Sequence, residues 1–226
     1  MTPTPIRAVL FDWGDTLFES PHAPTVIREA ALAGGIAMPD DEARRIWDDL
    51  WAAGKTAEEH AKGRDLSRDA HRDVWTALFA RANDRVPGID QVLYRRVMDS
   101  AGWIPYPDAE PTLRALRERG VKIGIVSNHA YDLRPYFAAK DLDRFIDAYA
   151  ISYEIGAPKP DARIFREACR RLGSRPEETL MVGDDPVSDA GAGAAGLQVY
   201  VLPAHAMAGT ARGLERVVEL VDDSRP

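Results

Sequence analysis

Two periodicities divide the chain. From residue 103 onward, short apolar runs alternate with amphipathic stretches in which apolar residues recur every three to four positions. That is the pattern of a parallel sheet covered by helices. The runs 121–126, 145–151, 179–183 and 198–202 predict strands, and IRAVLF at 6–11 predicts one more. The stretches 108–119, 130–140, 160–172, 187–195 and 210–221 predict the helices between them, with Gly120 and Gly173 placed as C-terminal caps. Between the first strand and residue 102 the alternation stops and only helical spacing remains, over 24–33, 39–53, 56–62, 67–83 and 88–101. Thr56 and Ser67 stand where N-caps belong, and Thr56 with Glu59 spells a capping box. Pro21 and Pro24 on one side, and Pro105 and Pro107 on the other, mark the crossings. The expected architecture is α/β: a Rossmann-like parallel sheet core from 1–17 and 103–226, with an all-helical domain, 18–102, inserted after the first strand.

Composition narrows the field without changing this picture. At 226 residues and 45% hydrophobic, the chain can bury a sizeable core. A net charge of −7 with no basic block argues against nucleic-acid binding, which needs clustered positive charge. No run of 18 apolar residues predicts a membrane span, and MTPTPIRAVLF lacks the features of a cleaved leader, so a cytoplasmic location is expected. Cys169 is the single cysteine, on the apolar side of a predicted helix, and is read as a packed thiol. Trp47, Trp51 and Trp75 fall on helical apolar stripes and are read as core.

The candidate chemistry lies where strands end. Asp12-Trp-Gly14-Asp15-Thr16 follows the first strand and Ser127-Asn128 the next. Lys159-Pro160 stands in the loop after the third core strand, and Gly183-Asp184-Asp185-Pro-Val-Ser-Asp189 follows TLMV. Each taken alone reads as a turn, a cap or an exposed loop. In an open α/β sheet, however, ligands bind at the carboxyl ends of the strands. Three carboxylates, Asp12, Asp184 and Asp189, would then converge, and their repulsion calls for a hard divalent cation such as Mg²⁺. Lys159 and the Ser127 hydroxyl are suited to gripping phosphate oxygens. A nucleophile, a metal and positive charge are the parts that phosphoryl transfer needs.

FDWGDTL, IVSN, GAPKPDARIF and VGDDPVSDAGAGAAG, in that order across the whole chain, resemble the four motifs of the haloacid dehalogenase-like hydrolase superfamily. The resemblance implies a phosphatase that forms an aspartyl-phosphate on a small phosphorylated metabolite, with Mg²⁺ as cofactor and the helical insertion as a cap domain of the first type. It implies that Asp12 is nucleophile and metal ligand, that the Gly14 carbonyl and Asp184 are ligands, and that Asp189 binds through water or from just outside. Ser127, Lys159, Thr16 and Asn128 would hold the phosphoryl group. Asp185 would assist the metal or cap the following helix.

One position departs from the pattern. The acid/base Asp two residues after the nucleophile is Gly14, and Asp15 takes the next place. Three explanations stand open. Asp15 reaches the leaving oxygen through a rearranged turn, or shapes the turn only. A cap residue, from Lys55, His60, Lys62, Arg64 and His71, supplies the proton. Alternatively the chemistry is C–P hydrolysis through Lys55, C–halogen hydrolysis, or non-catalytic binding of a phosphorylated ligand.

Overall fold

The computed structural model describes residues 4–203 and 209–225; residues 1–3, on which the reading of the leader partly rests, lie outside them. In chain order the elements are β1 (Ala8–Phe11) and β2 (Phe18–Glu19), then helices α1 (Pro24–Ala33), α2 (Asp40–Gly54), α3 (Ala57–Ala61), α4 (Arg68–Phe79) and α5 (Ile89–Met98). There follow β3 (Ile104–Pro105), α6 (Ala109–Glu118), β4 (Lys122–Ser127), α7 (Arg134–Ala138), β5 (Ala148–Ile151), α8 (Ser152–Ile155), α9 (Ala162–Leu172), β6 (Thr179–Gly183), β7 (Gln198–Val201) and α10 (Glu215–Asp223). Contacts group the chain into two compact units, Met1–Glu19 with Ile104–Pro226, and Ser20–Trp103.

The first unit is built on a five-stranded parallel sheet of order β5-β4-β1-β6-β7, a Rossmann-like α/β fold. β1 is central and fully buried, pairing Phe11 with Ile125 of β4 on one side and with Val182 of β6 on the other. Ala8 and Leu10 pack with Val126, Ala150 and Met181 against the apolar stripe of α9, formed by Ile164, Phe165, Ala168, Cys169 and Leu172. Val9 and Phe11, which alternate to the other face of the strand, are buried equally completely. Cys169 is thus a packed thiol, 2% exposed. Since β4 and β6 flank β1, the segments leaving all three strands meet at one edge of the sheet.

Several boundaries moved for local reasons. The stretch 187–195 forms a 3₁₀ turn over Ala190–Ala195 rather than an α-helix. Two glycines in AGAGAA weaken helix there, and Gly191 lies so close to Pro160 that a Cβ would fall 2.4 Å from its side chain. The third strand starts at Ala148 because Asp143–Phe145 is a 3₁₀ turn. The helix expected over 130–140 shortens to α7, since the Asp132 carboxylate accepts the Arg134 N–H and Pro135 occupies the first turn. The one expected from 210 begins at Glu215 because Asp108 takes the amides of Arg212, Gly213 and Leu214. β2 and β3, an antiparallel pair of two residues each, and the four-residue α8 were too short for periodicity to predict.

The second unit, Ser20–Trp103, is all helical among its described residues. Thr56 and Ser67 cap α3 and α4 as expected, accepting from Glu59 N and Ala70 N. The capping box is only half formed, because the Glu59 carboxylate pairs with Lys62 and Arg81. Trp47, Trp51 and Trp75 stack in series at 5.1 and 5.4 Å between ring centres, with Trp47 and Trp75 in the core and Trp51 half-buried between them.

Candidate functional site

Asp12 extends β1 by one rung, its N–H donating to Val182 O at 2.9 Å, which fixes where its side chain leaves the sheet. Lys159 comes to it from the loop after α8. The Lys159 peptide is held by the Asn128 side chain in both directions: Lys159 N–H donates to Asn128 Oδ1 and Asn128 Nδ2 donates to Lys159 O, at 2.6 and 3.0 Å. Its ammonium, 2% exposed, lies 2.9 Å from Asp12 Oδ1 and 2.6 Å from Asp189 Oδ1. Asp189 is fully buried, and its other oxygen accepts the Asp185 N–H.

Asp184 completes the group. Its carboxylate accepts the Thr16 hydroxyl at 3.3 Å. Oxygens of Asp12, Asp184 and Asp189 all lie within 4.8 Å of one another. Three carboxylates thus face one ammonium. Burial drives the Asp12 carboxyl up to about 6; Lys159 opposes the rise and Asp189 adds to it. Burial alone would lower the Lys159 ammonium, but the two carboxylates outweigh it and hold the lysine above its ordinary range.

A divalent cation fits this arrangement. Asp12 Oδ1 is buried and accepts no aligned hydrogen bond, its approach to Lys159 being an ion-pair contact. A hard divalent cation takes such all-oxygen, carboxylate-rich donor sets.

The remaining residues occupy defined places. Ser127, the last residue of β4, is buried. Gly14 is bridged to Phe18 across a tight turn, and Asp15 within that turn has φ +56°, in the left-handed region. Asp15 N–H donates to Phe18 O at 2.7 Å. Asp185 Oδ1 accepts from Val187 N and Ser188 N, closing a local turn; the helix it was expected to cap is a 3₁₀ turn that starts at Ala190 with Asp189 at its N-cap position. In the helical unit Lys55 is exposed at the end of α2. His60 is committed to Asp65 and Arg64, Lys62 to Glu59, and His71 to the Tyr94 hydroxyl.

Three features escaped the sequence. A Cβ on Gly183 would lie 2.0 Å from Asp189 Oδ2, so this glycine is what lets Asp189 fold back over the strand end. Its signal was present, a glycine directly between a buried strand and Asp184. Arg212 and Asp108 had no local signal, yet they are tied to the turn after Asp12 and to one another's segments.

Comparison with known proteins gives the family of the chain. A family model described as haloacid dehalogenase-like hydrolase matches residues 6–196. A phosphoserine phosphatase of Thermus thermophilus is 40% identical over 224 aligned residues, covering 81% of this chain and 83% of its own. A glyceraldehyde 3-phosphate phosphatase of Methanopyrus kandleri is 35% identical over 185 residues, 79% of this chain and 76% of its own. Among solved structures, a phosphatase from Thermococcus onnurineus superposes with a TM-score of 0.62 at 25% identity, covering 98% of this chain and all of that one.

Proposed function

Because the chain belongs to the haloacid dehalogenase-like hydrolase family, we propose that it is a Mg²⁺-dependent phosphatase of a small phosphorylated metabolite, with Asp12 as the nucleophile. The observation that carries this reading is Lys159, buried between Asp12 and Asp189, with carboxylate oxygens of Asp12, Asp184 and Asp189 within 4.8 Å of one another. Carboxylates gathered around one buried lysine at the strand ends suit a site that receives a cation and a phosphoryl group together.

In this reading Asp12, Asp184, the Gly14 carbonyl and, from just outside, Asp189 hold the cation, which supplies neutralisation of charge on the transferred group. Asp12 attacks phosphorus as the ester P–O bond breaks, giving an aspartyl-phosphate and the free alcohol. Water then cleaves the acyl phosphate, returning the carboxylate and inorganic phosphate. Lys159 and Ser127, with Thr16 and Asn128 behind them, orient the phosphoryl oxygens. In this reading Asp15 serves the turn through its backbone N–H and carbonyl, and the leaving oxygen takes its proton from water, forgoing the roughly 10²–10⁴-fold that a placed acid contributes. The helical unit serves as the cap that selects the substrate, and the substrates are soluble metabolites of the cytoplasm. The exposed Lys55 lacks the desolvation that activates a Schiff-base lysine, which weighs against C–P hydrolysis.

The test is phosphate release from a panel of metabolite monoesters, with Mg²⁺ or with chelator. Wild type should turn over only with the metal. Asp12→Asn should lose about 10⁴-fold or more, and Asp15→Asn should stay within about threefold. Metal-independent turnover would overturn the reading, and an equal loss in Asp15→Asn would make Asp15 the acid.

A further inference from the structure

We propose that Arg212 is a positioning residue for the nucleophile turn, fixing the peptide that follows Asp15 and with it the aim of Asp12 and the Gly14 carbonyl. The inference rests on the reading above and adds a residue to its machinery. Arg212 is 197 positions from Asp15, yet its Nε donates to Asp15 O at 2.7 Å and its Nη1 to Pro203 O at 2.8 Å. The residue is only 5% exposed. Most arginines of this chain pair with surface carboxylates, whereas the Arg212 guanidinium, among the described residues, is spent on two carbonyls. A buried guanidinium that donates to backbone carbonyls fixes the peptides it reaches.

What it holds is a strained turn. Asp15 is one of two non-glycine residues with positive φ among those described. The left-handed region is unfavourable for a residue with a Cβ, although aspartate tolerates it better than most. Two anchors keep it there. Asp15 N–H to Phe18 O fixes the peptide before the residue, and Arg212 to Asp15 O fixes the peptide after it. The first of those peptides carries the Gly14 carbonyl. Losing the second anchor lets Asp15 relax toward a right-handed conformation, which rotates that carbonyl and shifts Asp12, three residues before Asp15.

Arg212 is itself pinned. Both oxygens of Asp108, at the start of α6, accept its N–H and those of Gly213 and Leu214, at 2.8–2.9 Å. Asp108 therefore positions the arginine, which positions the turn. The two residues act in series, and their effects should not add.

The test uses the full-length protein and two readouts, hydrogen exchange resolved over residues 12–18 and the split between kcat and KM. Arg212→Met should speed exchange at the Asp15 and Phe18 amides about tenfold or more, while amides of β4 and β6 keep wild-type rates. It should lower kcat about 10–100-fold, the scale of a small misplacement of catalytic groups, with KM within about threefold. Arg212→Lys, which folds with the charge kept but cannot reach both carbonyls in the same fork, should recover part of the loss. Asp108→Asn combined with Arg212→Met should be no worse than Arg212→Met alone. Unchanged exchange at Asp15 overturns the proposal, as does a uniform rise across the sheet, which would make Arg212 a general structural residue. If wild type releases no phosphate, the phosphatase reading fails, while the exchange result still decides the role of Arg212.

Discussion

Each of the two units gathers a charged cluster around a buried residue of opposite role, Arg64 in one and Asp189 in the other. In the helical unit Arg64, 4% exposed, lies over the Trp75 ring at 4.5 Å with its Nε 3.6 Å from Asp65, while Glu59 pairs with Lys62 and Arg81. There three cations meet two carboxylates, and His60 bridges Asp65 and Arg64. In the α/β unit a single ammonium meets three carboxylates. Both clusters leave buried polar atoms without a hydrogen-bond partner, Arg64 Nε and Nη1 in one and Asp12 Oδ1 in the other, but an excess of cations over an aromatic ring is held by packing, whereas clustered carboxylate oxygens can be completed by a cation.

The comparison breaks first at Lys159. Removing the one cation, as in Lys159→Met, leaves buried carboxylates without compensation. This should cost about 3–5 kcal/mol in denaturant unfolding with chelator present, and turnover should fall about 10²–10³-fold. Mg²⁺ should recover part of the stability but not the turnover. A variant as stable as wild type in chelator would mean that the carboxylates are not strained against one another.

Gly183→Ala should follow, at about 1–3 kcal/mol, because its Cβ must displace Asp189. Activity should fall with it, since Asp189 anchors Lys159; unchanged kcat would detach Asp189 from the chemistry. In the helical unit Arg64→Met should cost about 1–2 kcal/mol in thermal unfolding, with phosphate release per folded molecule within about threefold. A large loss of turnover there would move the Arg64 cluster into the functional class.

Asp12 gives a smaller effect whose sign is the useful part. Its folded carboxyl is raised to about 6 from 3.8, chiefly by burial. Ionising it therefore costs the folded protein more than the unfolded chain, and stability is lost as pH rises between those values. In chelator Asp12→Asn should melt above wild type at pH 7, with the difference closing near pH 4. A wild type that melts higher at pH 7 would show that Lys159 fully compensates the nucleophile. Smallest is Thr56→Ala, which removes the α3 cap for about 1 kcal/mol and should leave turnover unchanged.

The sheet was legible because buried parallel strands are continuous apolar runs, as in β1, β4 and β6, and because Gly120 and Gly173 end the helices before β4 and β6. The candidate site was legible for a related reason. Its residues sit at strand ends, so reading the strands places Asp12, Ser127 and Asp184 at one edge. Lys159 needed the motif that surrounds it, since α8 intervenes between β5 and its loop. What stayed hidden depends on contacts between distant segments. The left-handed Asp15 is set by Phe18 and by Arg212, and nothing within DWGDT reports an arginine 197 positions away. The 3₁₀ turn over Ala190–Ala195 reflects the approach of Gly191 to Pro160, which period alone cannot register.

The most direct test of the carboxylate cluster is a calorimetric titration of Mg²⁺ into the metal-free protein, compared with Asp184→Asn. One ion should bind per chain, with affinity reduced at least about tenfold in the variant, because a carboxylate ligand and its charge leave together. Absence of binding to wild type, or equal binding to both proteins, would contradict the view that this cluster is built to receive a cation.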